Sequence, residues 1–300
     1  MEKWANVQSE LNKTVWNKSF LDILINAEED YGTTLQIKYS GFRKTLESIF
    51  SLFDDILQHI SNCPDEILNS YIGFQTWLGS FIATIKDFRA TYVLFSSGYT
   101  VQSIPILRGI TERLTLMSCA IHKIEPYNEL INIRTKSEST DYKQFLKDGE
   151  NKRRTARKKF FSQLVDEDSS NHIKEITDSS SEQTHYGLWS LFASFQDIIA
   201  NKCTLLPIKN TSSEMLYLNR SCEFSLMLVR LSCFLQFKNH QFDDNLKNKW
   251  KICNDAIFIL VSNIATEQNP NIGKYFATYT NDKFNFNVDN HFFENYICHC

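Results

Sequence analysis

Turn residues are scarce in this chain, with 9 glycines and 5 prolines among 300 residues. An all-β protein of this length spends glycine and proline at every hairpin, so the shortage excludes a sandwich or barrel and favours long helices joined by few turns. Long apolar runs are missing too, and nothing approaches the ~20 consecutive apolar residues of a membrane span. The opening "MEKWANVQSELNK" has no basic segment followed by an apolar core, so neither a leader nor a membrane partner is expected, and the location expected is cytoplasmic. There is no excess of positive charge. Lys and Arg total 32 against 35 Asp and Glu, a net −3, which removes any whole-molecule attraction to nucleic acid and requires such a contact to be local. Also missing are a glycine-rich phosphate loop, a G-x-S-x-G elbow and an H-E-x-x-H pair. The 8 cysteines are scattered through a chain too large to need staples and are read as reduced core thiols, Cys222 and Cys233 among them.

What is present is apolar and aromatic. Hydrophobic residues make up 42%, with 23 Phe and 12 Tyr, enough to fill a large core. The recurrence of these residues at three and four predicts an all-α antiparallel bundle. One or two helices are expected within 3–30, ending near Gly32, and another over 34–61. A strongly patterned helix over 66–97 places Trp77, Phe81, Ile85, Phe88, Tyr92 and Phe95 on one face, with Arg89 at its edge. Gly98 closes it, and 101–122 returns as the second arm of a helical hairpin. Residues 134–184 are polar and read as a protruding insertion, helical over about 139–165 and then a loop. Helices over 183–201, 211–239 and 243–266 follow. One domain is expected over 1–265, with a tail over 266–300 that packs on it or on a partner. Within that tail "KYFATYTNDKFNFNV" alternates as a short β-hairpin would.

The returning arm has an unusual polar face. At about 100° per residue, Arg108, Glu112, Thr115, Cys119 and His122 fall within an arc of about 80°. The later stretch "SCEFSLMLVRLSCFLQF" is apolar nearly all round, yet carries Glu223 and Arg230 seven residues apart on one face. Buried charges need partners. A buried cluster of Arg108, Glu112, Glu223 and Arg230, joined by Arg89, is therefore expected, either as a lock on helix register or as a pocket. Catalytic candidates are Arg108 and Glu112 with His122 or His185.

A second feature is the basic run "KDGENKRRTARKKF", in which Lys152, Arg153, Arg154, Arg157, Lys158 and Lys159 offer contacts to nucleic-acid phosphates or a solvated helix face. The terminal "ICHC" gathers Cys298, His299 and Cys300, with His291 nearby. It lacks the separated knuckles of a zinc site, and neither metal nor cofactor is expected. In "HYGLWS", Tyr186 and Ser190 are one turn apart beside His185, which does not make a triad.

The succession "YVLFSSGYT" then "SIPILRGITER" resembles that of HEPN-like all-helical bacterial proteins of uncharacterised or abortive-infection and antiviral-defence type. Their leucine-arginine-x-x-x-glutamate helix corresponds here to Leu107, Arg108 and Glu112. Their later tyrosine-x-x-x-serine-x-x-x-histidine corresponds to Tyr186 and Ser190, with Ser194 where the histidine would stand. The similarity runs over roughly residues 70–240. It implies a helical fold, a defence or stress context and a homodimer or other protein partner. Ribonucleases of the wider group carry an arginine followed after four to six residues by a histidine, and none of the 7 histidines here has one. The function expected is therefore a non-catalytic recognition or regulatory component. The alternatives are a divergent nuclease or a nucleic-acid-binding module working through 152–159.

Overall fold

The structure, a computed structural model, describes residues 18–69, 72–121, 142–164, 211–237 and 239–268, together with Ser9. It is all-α. The described elements are α1 (Lys18–Lys38), α2 (Ser40–Ser61), α3 (Asp65–Asn69), α4 (Ile72–Ser96), α5 (Thr100–Ile121), α6 (Tyr142–Leu164), α7 (Thr211–Ser232) and α8 (Asp244–Gln268). No strand occurs among the described residues. The expected tail hairpin, the helix over 183–201 and the loop before it lie outside them, as do His122, His185, His299 and the cysteines at 203, 298 and 300.

The α4–α5 hairpin forms because an apolar stripe meets a decisive stop. Trp77, Phe81, Phe88 and Phe95 are buried on α4, where Phe81 meets Phe53 and Phe88 meets Phe50 of α2, and Ile110, Leu114 and Met117 of α5 are buried as well. Gly98 adopts φ 83°, a left-handed conformation that costs a residue with a Cβ about 1–2 kcal/mol. The Tyr99 amide reaches back to the Leu94 carbonyl at 2.8 Å, so the orphan carbonyls at the end of α4 are satisfied as the chain reverses. Arg113 then ties the two arms together, donating to Thr84 Oγ1 at 3.1 Å and pairing with Asp87.

Helix α7 lies against α5, α8 and α2, and α8 against α2, so that Tyr217, Phe224, Leu228 and Leu231 share one core with Ile49, Leu52, Phe53 and Ile56. Aromatic rings interlock through it: Phe95 stacks on Tyr217 at 4.2 Å between centroids, and Trp77 on Phe81 at 5.7 Å. Among the described residues no helix is long and apolar enough to cross a membrane.

Two helix ends differ from expectation, for opposite reasons. Helix α1 does not stop near Gly32 but runs on to Lys38, because the glycine serves packing: a Cβ there would lie 3.1 Å from the Ser96 carbonyl oxygen. Helix α7 ends at Ser232 rather than 239. The reversal that follows is buried, with Phe234, Leu235 and Phe237 at 0–1% exposure, so hydrophobicity continues where the helix does not. Buried Gln236 wires the turn, giving its amide to the Cys233 carbonyl and accepting from the Phe242 amide.

Candidate functional site

Helix α6 is basic on its outside and small on its inside. Gly149 and Ala156 are buried, and seven residues apart they share the face turned to α5. Small side chains let the two backbones approach: Cys119 of α5 donates its thiol to the Ala156 carbonyl at 3.8 Å. Opposite that face, Lys147, Arg154 and Lys158 are exposed at spacings of seven and four, so they form one stripe. The stripe is about 16 Å long at 1.5 Å per residue. Among the described residues none of the three has a hydrogen bond or ion pair. The other cations of the run are placed differently. Lys152 is half-buried at the flank, Arg153 is bound to Glu150 at 3.0 Å, and Lys159 is exposed but already engaged in an interaction. The Arg157 side chain lies outside the described residues.

The buried charged cluster expected from Arg89, Arg108, Glu112, Glu223 and Arg230 is corrected in its burial. Arg89 is exposed and lies over the Tyr92 ring at 5.6 Å, and the other four are half-buried. Arg108 donates to Glu112 one turn along the same helix at 3.3 Å, their side chains 24% and 36% exposed. Glu223 accepts from Arg220 on its own helix at 2.9 Å, and Arg230 donates to Asn254 of α8 at 3.3 Å. The periodicity that groups these residues on faces is real. It does not say how deep a face sits, and long side chains keep their charged ends near water while their stems pack.

The buried carboxylate of the described residues is Glu214, at 3% exposure in the first turn of α7. Its Oε1 accepts the Tyr31 hydroxyl at 2.8 Å, and its Oε2 accepts Lys38 Nζ at 2.9 Å and the Tyr39 hydroxyl at 3.1 Å. Three donors from α1 and its end thus converge on a group more than 170 positions away in the chain. Burial, reinforced by the carboxylate that takes its proton, pushes the Tyr31 phenol well above its usual range. Burial raises Tyr39 as well, and the Tyr39 oxygen followed by Glu214 holds the Lys38 ammonium above its ordinary value. The site is filled by its own donors, so it is a lock rather than a reaction centre. The sequence signal for it is slight: "TSSE" has the form of a helix-start pattern, which would assign Glu214 to capping its own helix.

Among the described residues, acid–base chemistry finds little elsewhere. A groove of about 610 Å³ between α2 and α8 has Glu47 and Asp55 on its rim. Arg43 takes the first at 2.7 Å and Lys249 the second at 2.7 Å. Among the described residues no group of three His, Cys, Asp or Glu is arranged to hold a metal. The described cysteines, 63, 119, 222, 233 and 253, are free thiols and all buried. Burial pushes the thiols of Cys222 and Cys233 far above the range in which a thiolate forms. No protein-family model, curated protein or solved structure matches the chain.

Proposed function

We propose that this protein is a non-catalytic recognition or regulatory component of a bacterial antiviral-defence or stress system, with a HEPN-like helical body, and that it contacts nucleic-acid phosphates through α6. The observation that carries the reading is the stripe of Lys147, Arg154 and Lys158, three exposed cations with no partner among the described residues on a helix anchored by its other face. Cations so placed attract a phosphate backbone without reading bases. In a chain of net charge −3 such an attraction has to be local, and a stripe of this kind, partner-free among the described residues, supplies it. The non-catalytic part of the reading rests on the same geometry that corrects the cluster: Arg108 and Glu112 answer each other along one helix. A cytoplasmic homodimer, or a complex with another protein, belongs to the same proposal.

The test is binding and cleavage of labelled single- and double-stranded RNA and DNA by the purified chain, at low and moderate salt. A Lys147→Gln, Arg154→Gln, Lys158→Gln variant should fold and lose binding to every substrate alike. Cleavage by the wild type that disappears in a folded Arg108→Ala, Glu112→Ala variant would replace this reading with a nuclease.

A further inference from the structure

Two histidines 181 positions apart are stacked face to face. His59 lies in the last turn of α2 and His240 in the reversal between α7 and α8, with ring centroids 4.0 Å apart and planes inclined by 22°. Each ring reaches the backbone of the other residue. His59 Nε2 lies 3.3 Å from the His240 carbonyl oxygen, and His240 Nε2 lies 2.8 Å from the His59 carbonyl oxygen. A carbonyl oxygen only accepts, so both Nε2 atoms carry hydrogen and a further proton on either ring must go to Nδ1. The edge of Phe242 closes the stack at 5.2 Å from His59.

We propose that this pair is an acid-released clasp, which fastens the α7–α8 reversal to the end of α2 while at most one ring is charged and lets it go when both are. The first proton is tolerated. His240 points its Nε2–H at a carbonyl of the final turn of α2, where the helix end favours a cation. Protonation at Nδ1 leaves that bond in place. The second proton sets two positive rings 4.0 Å apart in a half-buried stack. The groups that bear on His59 make its charged form the costly one: burial disfavours it first and the charge of His240 next, while the bond to the His240 carbonyl and then Asp243 favour it without reversing the balance. Asp243 is itself occupied, its side chain accepting the Leu246 amide at 2.7 Å to start α8. Asp55, one turn back on α2, is paired with Lys249 of α8.

What the clasp holds is specific. The Phe237 and His240 backbones bond to each other at 3.1 and 2.9 Å, and Phe237 and Phe242 are buried beneath them at 0% and 2% exposure. Release would loosen this reversal and the start of α8 while leaving the α4–α5 hairpin intact.

The experiment is amide hydrogen exchange of the full chain at pH 7.5 and 5.0, corrected for intrinsic rates. The amides of Phe237, His240 and Phe242 should lose protection at the lower pH while those of α4 and α5 keep theirs. In His59→Gln, which retains a side-chain donor but no titration, protection of the reversal should survive at pH 5.0. Unchanged protection in the wild type, or an equal loss in His59→Gln, would overturn the proposal. Should that variant not fold, the ring resonances of the wild type decide: His59 should take its proton only below the ordinary imidazole range. Titration of His59 at the ordinary imidazole value would refute the clasp.

Discussion

Glutamine at position 214 keeps the shape of the side chain while removing its charge and one acceptor, which makes it the sharpest perturbation of the α1–α7 lock. A hydrogen bond to a charged acceptor contributes about 1.5–3 kcal/mol and a neutral one about 0.5–1.5 kcal/mol. Tyr31 is 5% exposed and cannot recover its loss from water, whereas the Lys38 side chain is 46% exposed and largely can. One oxygen also becomes an amide that faces a donor with a donor. Glu214→Gln should therefore cost about 2–3 kcal/mol, and Glu214→Ala, which takes the acceptor from buried Tyr31 altogether, about 3–5 kcal/mol. Tyr31→Phe should cost about 1–2 kcal/mol and Lys38→Met at most about 1 kcal/mol. Urea unfolding gives each value, and the double-mutant cycle of Tyr31→Phe with Glu214→Gln isolates their interaction. A coupling of about 1 kcal/mol or more is expected. Costs that add to within about 0.5 kcal/mol would mean that the hydroxyl and carboxylate do not act on each other, and the lock would be refuted.

Other consequences are as direct. Gly98→Ala should destabilise by about 1–2 kcal/mol because of its left-handed backbone, whereas Gly41→Ala, which meets nothing within 4 Å on α2, should be neutral or stabilising by about 0.5–1 kcal/mol; urea midpoints compare the two. Ala156→Leu forces extra volume between α6 and α5 and should cost about 1–3 kcal/mol, with faster tryptic cleavage within α6 as the local readout. Burial, with its hydrogen bond to Glu28 second, pushes the Tyr99 phenol up to about 12, above the ordinary 10 of an unfolded chain. Its contribution is therefore complete below pH 10 and is lost as pH rises through 12, a dependence that Tyr99→Phe should remove from alkaline unfolding curves. The five buried cysteines should resist alkylation in the native protein and react only on denaturation.

Helix class and pairing were legible because they rest on local regularities: the aromatic stripe of α4, the Gly98 stop and the returning α5 all follow from spacing and turn chemistry. What spacing could not convey was depth. Arg108, Glu112, Glu223 and Arg230 share faces as expected, yet each remains half-buried, since periodicity fixes an angle around a helix and not the distance of the neighbour. The end of α7 was hidden for a related reason: Phe234, Leu235 and Phe237 keep their apolar character through a reversal packed inside the protein. The Glu214 lock and the His59–His240 stack join positions more than 170 residues apart, and neither Tyr31 nor His240 carries a local mark of its partner. In the basic run the composition was evident. Which cations stand free of it was not, because that depends on Gly149 and Ala156 choosing the face that meets α5.

The salt dependence of nucleic-acid binding tests the central claim most directly. If Lys147, Arg154 and Lys158 each neutralise one phosphate of a duplex, log Kobs against log salt should have a slope of about −2.7, a loss of roughly fortyfold in affinity between 50 and 200 mM. Neutralising the three should bring the slope near zero. Binding that keeps its slope in the triple variant, or no binding by the wild type at 50 mM salt, would contradict the assignment of α6 as the nucleic-acid contact.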